Sequence, residues 1–104
     1  MSASINDLQT RAWKRFHGTA TGTALITAPI RIMAFHLGAG SATSSAIVDN
    51  AATAVGTDIF KATALAAGNS TYLTFGPAGT VYDVGVSVTL AGTGATFDIF
   101  YLTD

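Results

Sequence analysis

The residues able to move protons, attack a carbonyl or hold a metal are few in this chain of 104 residues: two histidines, six acidic residues that are all aspartate, five basic residues and no cysteine. A zinc site draws mainly on His and Cys, so one built on His17 and His36 would have to recruit aspartates from distant segments, and no metal site is expected. Calcium prefers carboxylates closely spaced on one loop. Asp49, Asp58, Asp83, Asp98 and Asp104 are scattered instead and read as solvated strand edges, with His36 ending a half-buried strand and His17 at a hinge. Asp83 and Asp98 could in principle form a glycosidase pair, because the strands that carry them read as neighbours. A general acid, however, needs a raised pKa in a sizeable cleft, and one core of this size leaves little room for it. There is no G-x-S-x-G elbow, and "GAGSAT" (38–43) lacks the lysine of a phosphate-binding loop. The sequence therefore predicts no enzyme, no metal and no cofactor.

The densest chemistry lies in "TRAWKRFHG" (10–18), which holds three of the five basic residues and the only tryptophan. Arg11, Lys14 and Arg15 could bind phosphates with Trp13 stacking on bases, but three charges give weak, salt-sensitive binding and the remainder of the chain is acidic. A membrane-surface helix would need a longer apolar face and more charge. Protein docking fits better: Trp13 and Phe16 as anchors, with Arg11, Lys14 and Arg15 as a charged rim. These five residues are the candidate partner-binding set, and neither a membrane nor nucleic acid is the expected partner.

The elements that must position these residues are strands. From Thr19 onward, short runs of β-branched and aromatic residues alternate with Gly, Asn, Ser and Pro clusters, the pattern of an all-β sandwich or barrel. The predicted strands are 19–27, 30–37, 45–49, 58–65, 70–75, 81–90 and 95–102, with an eighth if the long sixth run bends. In that run Tyr82, Val84, Val86, Val88 and Leu90 share one face, a period of two. "AGTG" (91–94) reads as a tight hairpin joining the last two strands, "GPAG" (76–79) as a turn, and "DNAATAVG" (49–56) as a protruding loop. Phe60, Tyr72, Phe75, Tyr82, Phe97, Phe100 and Tyr101 are assigned to the core. Residues 1–16 differ in kind. Ser4 and Asp7 resemble a capping box, and Ile5, Leu8, Ala12 and Phe16 share a helical face; the same residues also alternate as an extended strand. The expected organisation is thus an N-terminal docking arm over 1–16, helical or extended, and an antiparallel β-sandwich over 17–104, jelly-roll-like in its wrapping.

Composition points to assembly. Charged residues make up 11% of the chain, well under the roughly 25% usual in soluble domains, and mean hydropathy is +0.44. Without any uninterrupted apolar run of about 18 residues, that excess of apolar surface suggests burial between subunits, in a homotrimer or other closed ring. The polar start "MSASINDLQ" lacks the basic and apolar regions of a secretory leader, so synthesis in the cytoplasm is expected.

The stretch "TFGPAGTVYDVGVSVTLAGTGATFDIFYL" (74–102), preceded by "IVDNAATAVGTDIFKATAL" (47–65), resembles a group of small Ala/Thr/Gly-rich virion proteins of tailed bacteriophages. The matching hairpin core is Gly85, Val86, Val88, Thr89, Gly92 and Thr93, closing on Tyr101. The resemblance implies a capsid decoration or cement protein on the virion surface, often trimeric, whose partner is the major capsid protein. The alternative within the same group is a tail or fibre module that recognises a host surface glycan.

Overall fold

The computed structural model describes residues 12–26, 29–50, 58–76 and 78–103; Arg11, most of the expected arm, Pro77 and the 51–57 part of the protruding loop lie outside the described residues. The described residues form nine strands: β1 (Lys14–Gly18), β2 (Gly22–Ile26), β3 (Ile30–Gly38), β4 (Ser44–Asn50), β5 (Asp58–Leu65), β6 (Ser70–Thr74), β7 (Thr80–Tyr82), β8 (Val86–Ala91) and β9 (Thr96–Thr103). They form two antiparallel sheets packed as a β-sandwich, the expected fold class. Sheet A runs β1-β9-β3-β6, with β7 also paired to β3; sheet B runs β2-β8-β4-β5. Only β4 and β5 are consecutive strands paired within one sheet, while β1 to β2, β2 to β3, β3 to β4, β5 to β6, β7 to β8 and β8 to β9 each cross from one sheet to the other.

Two expectations are corrected by this topology. "AGTG" is a tight turn, with Gly92 at φ 112° and Gly94 at φ 74°, but it carries the chain from β8 in sheet B to β9 in sheet A and is no hairpin. Asp83 and Asp98 are therefore not on paired strands, and the geometry of a carboxylate pair is lost. Secondly, the boundary expected between residues 16 and 17 falls inside β1, which pairs with β9 from Lys14↔Tyr101 to Gly18↔Phe97. The end of the supposed arm is thus an integral strand of sheet A. Antiparallel pairing to a central strand satisfies the β1 backbone groups that an isolated helix this short would leave marginal.

The core follows from the period of two. On β9, Phe97 and Ile99 face sheet B and are fully buried, and on β3 so do Ile30, Ile32, Phe35 and Leu37. A bulge at Ile32/Ala34 against β9 shifts the phase, so that both parts of β3 keep their apolar residues inward. Phe16, Phe97 and Phe35 stack across β1, β9 and β3 with ring centroids 6.2 and 6.0 Å apart. Gly18 lies opposite Phe97, whose ring occupies the place that a Cβ would take. Of the seven strand aromatics assigned to the core, two are corrected: Phe100 and Tyr72 lie on the outer face of sheet A, because Phe97 and Tyr101 claim the inner phase of β9 and Leu73 that of β6, while the side chain of Phe60 lies outside the described residues.

The run expected over 81–90 does bend, at Asp83–Gly85. Asn50 at the end of β4 organises the bend: its Oδ1 accepts from the N–H groups of Val84 (3.0 Å) and Gly85 (3.3 Å), and its Nδ2 donates to Asp83 Oδ1 (2.8 Å). Tyr82, just before it, is wholly buried, and among the described residues its hydroxyl has no hydrogen-bond partner. Burial, aided by the charge of Asp49, pushes that phenol far above its ordinary value. An unsatisfied buried hydroxyl costs on the order of 1 kcal/mol or more, so Tyr82→Phe should leave the thermal midpoint unchanged or raise it. A fall of several degrees in a melting curve would show that the hydroxyl is bonded after all.

At one end of the sandwich three connections are knitted together through their backbones. Ala39 N–H donates to Asn69 O (2.8 Å), Gly68 N–H to Gly40 O (3.1 Å) and Ser41 N–H to Thr93 O (3.0 Å). Gly40 is required there, since a Cβ would strike the Thr93–Gly94 peptide.

Candidate functional site

The outer face of sheet A carries a row of chemically active side chains. Asp98 on β9 lies directly between His17 on β1 and His36 on β3, its register partners on either side, and Tyr72 on β6 is the register partner of His36. The period of two turns all four outward, because Phe97 and Ile99 turn inward. Four strands therefore place one residue each in a line across the sheet.

Asp98 is the hub. Its Oδ1 accepts from Arg15 Nε (2.8 Å), lies 2.7 Å from Arg15 Nη2, and lies 2.7 Å from His17 Nδ1; its Oδ2 lies 3.3 Å from His36 Nδ1. The carboxylate is nearly buried, with its side chain 10% exposed, whereas Arg15 is 58% exposed. Burial pushes the Asp98 carboxyl up, but hydrogen bonds from His17 and Arg15, together with their charges, outweigh it and hold the group below its ordinary value. A histidine that donates Nδ1–H to Asp98 leaves Nε2 as an acceptor when neutral and as a second donor when charged. The arrangement can therefore fix imidazole tautomers and hold an edge strand, and it pairs a proton-accepting row with the aromatic pair Tyr72 and Phe100, whose centroids are 6.1 Å apart. Among the described residues no three His or Asp side chains are arranged to hold a metal ion. The nitrogens of His17 and His36 nearest the carboxylate are spent on hydrogen bonds to it.

A second, apolar patch lies on the same face. Met33 and Leu102 are almost fully buried there, packed by Trp13 and by Ala78 of the 76–79 turn. Arg31 Nη1 donates to Ala78 O at 3.0 Å and ties that turn to β3.

The four described residues of the set assigned to partner binding, Trp13, Lys14, Arg15 and Phe16, do not lie on one surface. Trp13 packs on the outer face of sheet A, Phe16 enters the inner core against Phe97, Arg15 is held by Asp98, and Lys14 is exposed. Arg11 lies outside the described residues. The Asp98 row was not predicted, since 17, 36, 72 and 98 share no local motif. The one local signal was the alternation Arg15, Phe16, His17, which marks a strand with two polar residues on one face.

No protein-family model matches the chain, and neither a curated protein nor a solved structure matches it.

Proposed function

We propose that the protein is a structural component of a bacteriophage virion, a decoration or cement protein that binds the assembled head shell through its major capsid protein. The observation carrying this reading is the strand order, β1-β9-β3-β6 over β2-β8-β4-β5 with the chain passing repeatedly between sheets. We read it as the wrapping of a jelly roll, an architecture used by viral capsid and lectin domains. The phage resemblance of 47–65 and 74–102 selects the virion among those uses, and the sparse charge of the chain suits a protein whose surface is covered in an assembly. The mechanism is mass action: a subunit that binds only the assembled shell stabilises it.

A second reading is favoured by one specific observation. Tyr72 is 53% exposed beside Phe100 and in line with His36 and Asp98, which places an aromatic ring and polar groups where a sugar could stack and hydrogen-bond. This would serve a tail or fibre module that binds host glycan. The two readings separate in one experiment. Mixed with purified empty heads, a cement protein co-sediments to a fixed stoichiometry and raises the temperature at which the shells come apart. Failure to bind shells, with glycan binding that Tyr72→Ala abolishes, would replace the first reading by the second. The described residues contain no helix long and apolar enough to cross a membrane.

A further inference from the structure

An open sandwich exposes strand edges whose unpaired N–H and C=O groups can recruit another chain, and proteins guard them with charge, bulges or irregular register. Three edges here are guarded. β1 presents the exposed side chains of Lys14, Arg15 and His17. β5 carries the exposed Lys61, and its pairing to β4 shifts register twice. β2 is out of regular register with β8 between Gly22 and Ile26. β6 is not guarded in any of these ways: Ser70–Thr74 reads STYLT, without charge, proline or glycine, and its five residues pair with β3 in unbroken register.

Apolar exposure gathers on the same side. Among the described residues the exposed large hydrophobics are Tyr72 on β6, Val81 on β7 and Val84 just beyond it, at 53%, 45% and 59% exposure. Tyr72 and Val81 share the outer face of sheet A, being opposite His36 and Arg31 of β3.

We propose that β6 is a self-association edge, at which two copies of the chain pair their β6 strands antiparallel about a two-fold axis through Tyr72 and join their A sheets into one. The backbone supplies the register. Phe75 N–H donates to Met33 O at 3.4 Å, which sets Phe75 among the residues bonded to β3. The period of two then turns the backbone groups of Thr71 and Leu73 toward β3 and those of Ser70, Tyr72 and Thr74 outward. A two-fold axis at Tyr72 brings Tyr72 opposite Tyr72 and Ser70 opposite Thr74, and each pair exchanges two backbone hydrogen bonds. A second copy fits this edge because no like charges meet across it and because the strand offers no charge for a differently charged partner to match. The symmetry is two-fold, which makes a dimer and not a trimer the closed assembly formed through this edge. A five-residue junction is far smaller than a standard interface of about 1,600 Å², so pairing should be weak, with Kd on the order of 10–100 µM. It requires neither the shell nor a glycan.

Sedimentation equilibrium on the purified chain, spanning that concentration range, tests the proposal. The wild type should show a monomer–dimer equilibrium. Tyr72→Lys and Tyr72→Asp, each placing like charges on the axis, should be monomeric, and an equimolar mixture of the two should pair again because opposite charges then meet. Thr74→Pro keeps the Tyr72 ring and deletes one outward N–H per strand, at an edge position where proline is tolerated; it should weaken pairing at least tenfold with the melting curve retained. A wild type that stays monomeric, a stoichiometry of three, charge variants that associate like the wild type, or a mixture that fails to pair would each overturn it.

Discussion

Replacing Trp13 with alanine is expected to lower the thermal midpoint of the isolated domain by roughly 10 °C, from a loss of about 2 kcal/mol. As an arm residue Trp13 would leave the stability of the free protein untouched. The structure instead seats it against Met33 and Leu102, two apolar side chains on the outer face of sheet A that are 1% and 2% exposed. Removing the indole uncovers both. Its half-buried position keeps the cost below that of a fully enclosed tryptophan. Lys14→Ala, by contrast, should change stability by under about 0.5 kcal/mol. A melting curve for each variant decides the matter, and an unchanged midpoint for Trp13→Ala would return that residue to the role of a free anchor.

Asp98→Asn should have its largest effect at neutral pH, costing about 2 kcal/mol, and should flatten the acid limb of stability against pH. The carboxyl of Asp98 is held below its ordinary value in the folded chain, so the stability it contributes is fully present above the ordinary aspartate value of about 4 and is lost as pH falls through the lower folded value. Arg15 alone would add little, because it is mostly exposed and screened. The carboxylate is the costly partner, since it is nearly buried and its charge has been brought there against desolvation. Thermal midpoints from pH 2 to pH 7 for wild type and Asp98→Asn would show parallel acid limbs if this account were wrong.

Most strands were legible in the sequence because alternation and β-branched content are local. The range 58–65 coincides with β5, and 30–37 and 95–102 differ from β3 and β9 by a residue or two. β1 was obscured because "KRFHG" presents one apolar residue among polar ones, and Phe16 also completes a helical face with Ile5, Leu8 and Ala12. The destination of "AGTG" was illegible for another reason. Gly92 and Gly94 supply the positive φ that a tight turn needs, and that need is the same whether the next strand pairs with the last or crosses to the opposite sheet. The Asp98 row exists only through the registers of three strand pairs, so nothing within reach of His17 or His36 along the chain announces it. Tyr72 was assigned to the core by residue type, whereas its exposure follows from the phase of β6.

The place of β9 has a temporal consequence. It lies between β1 and β3, so β1, the first of the described strands, gains its neighbour only when residues 96–103 have been made, and Arg15 meets a carboxylate 83 residues further on. Sheet A cannot close progressively during synthesis. β6 and β7 can cover one side of β3 as they are made, but its other side and the inward face of Phe16 stay uncovered until the end of β9 emerges from the ribosome. Contacts of such long sequence separation belong to domains that fold in milliseconds to seconds. During that interval the nascent chain is at its most vulnerable to chaperones, proteases and other copies of itself.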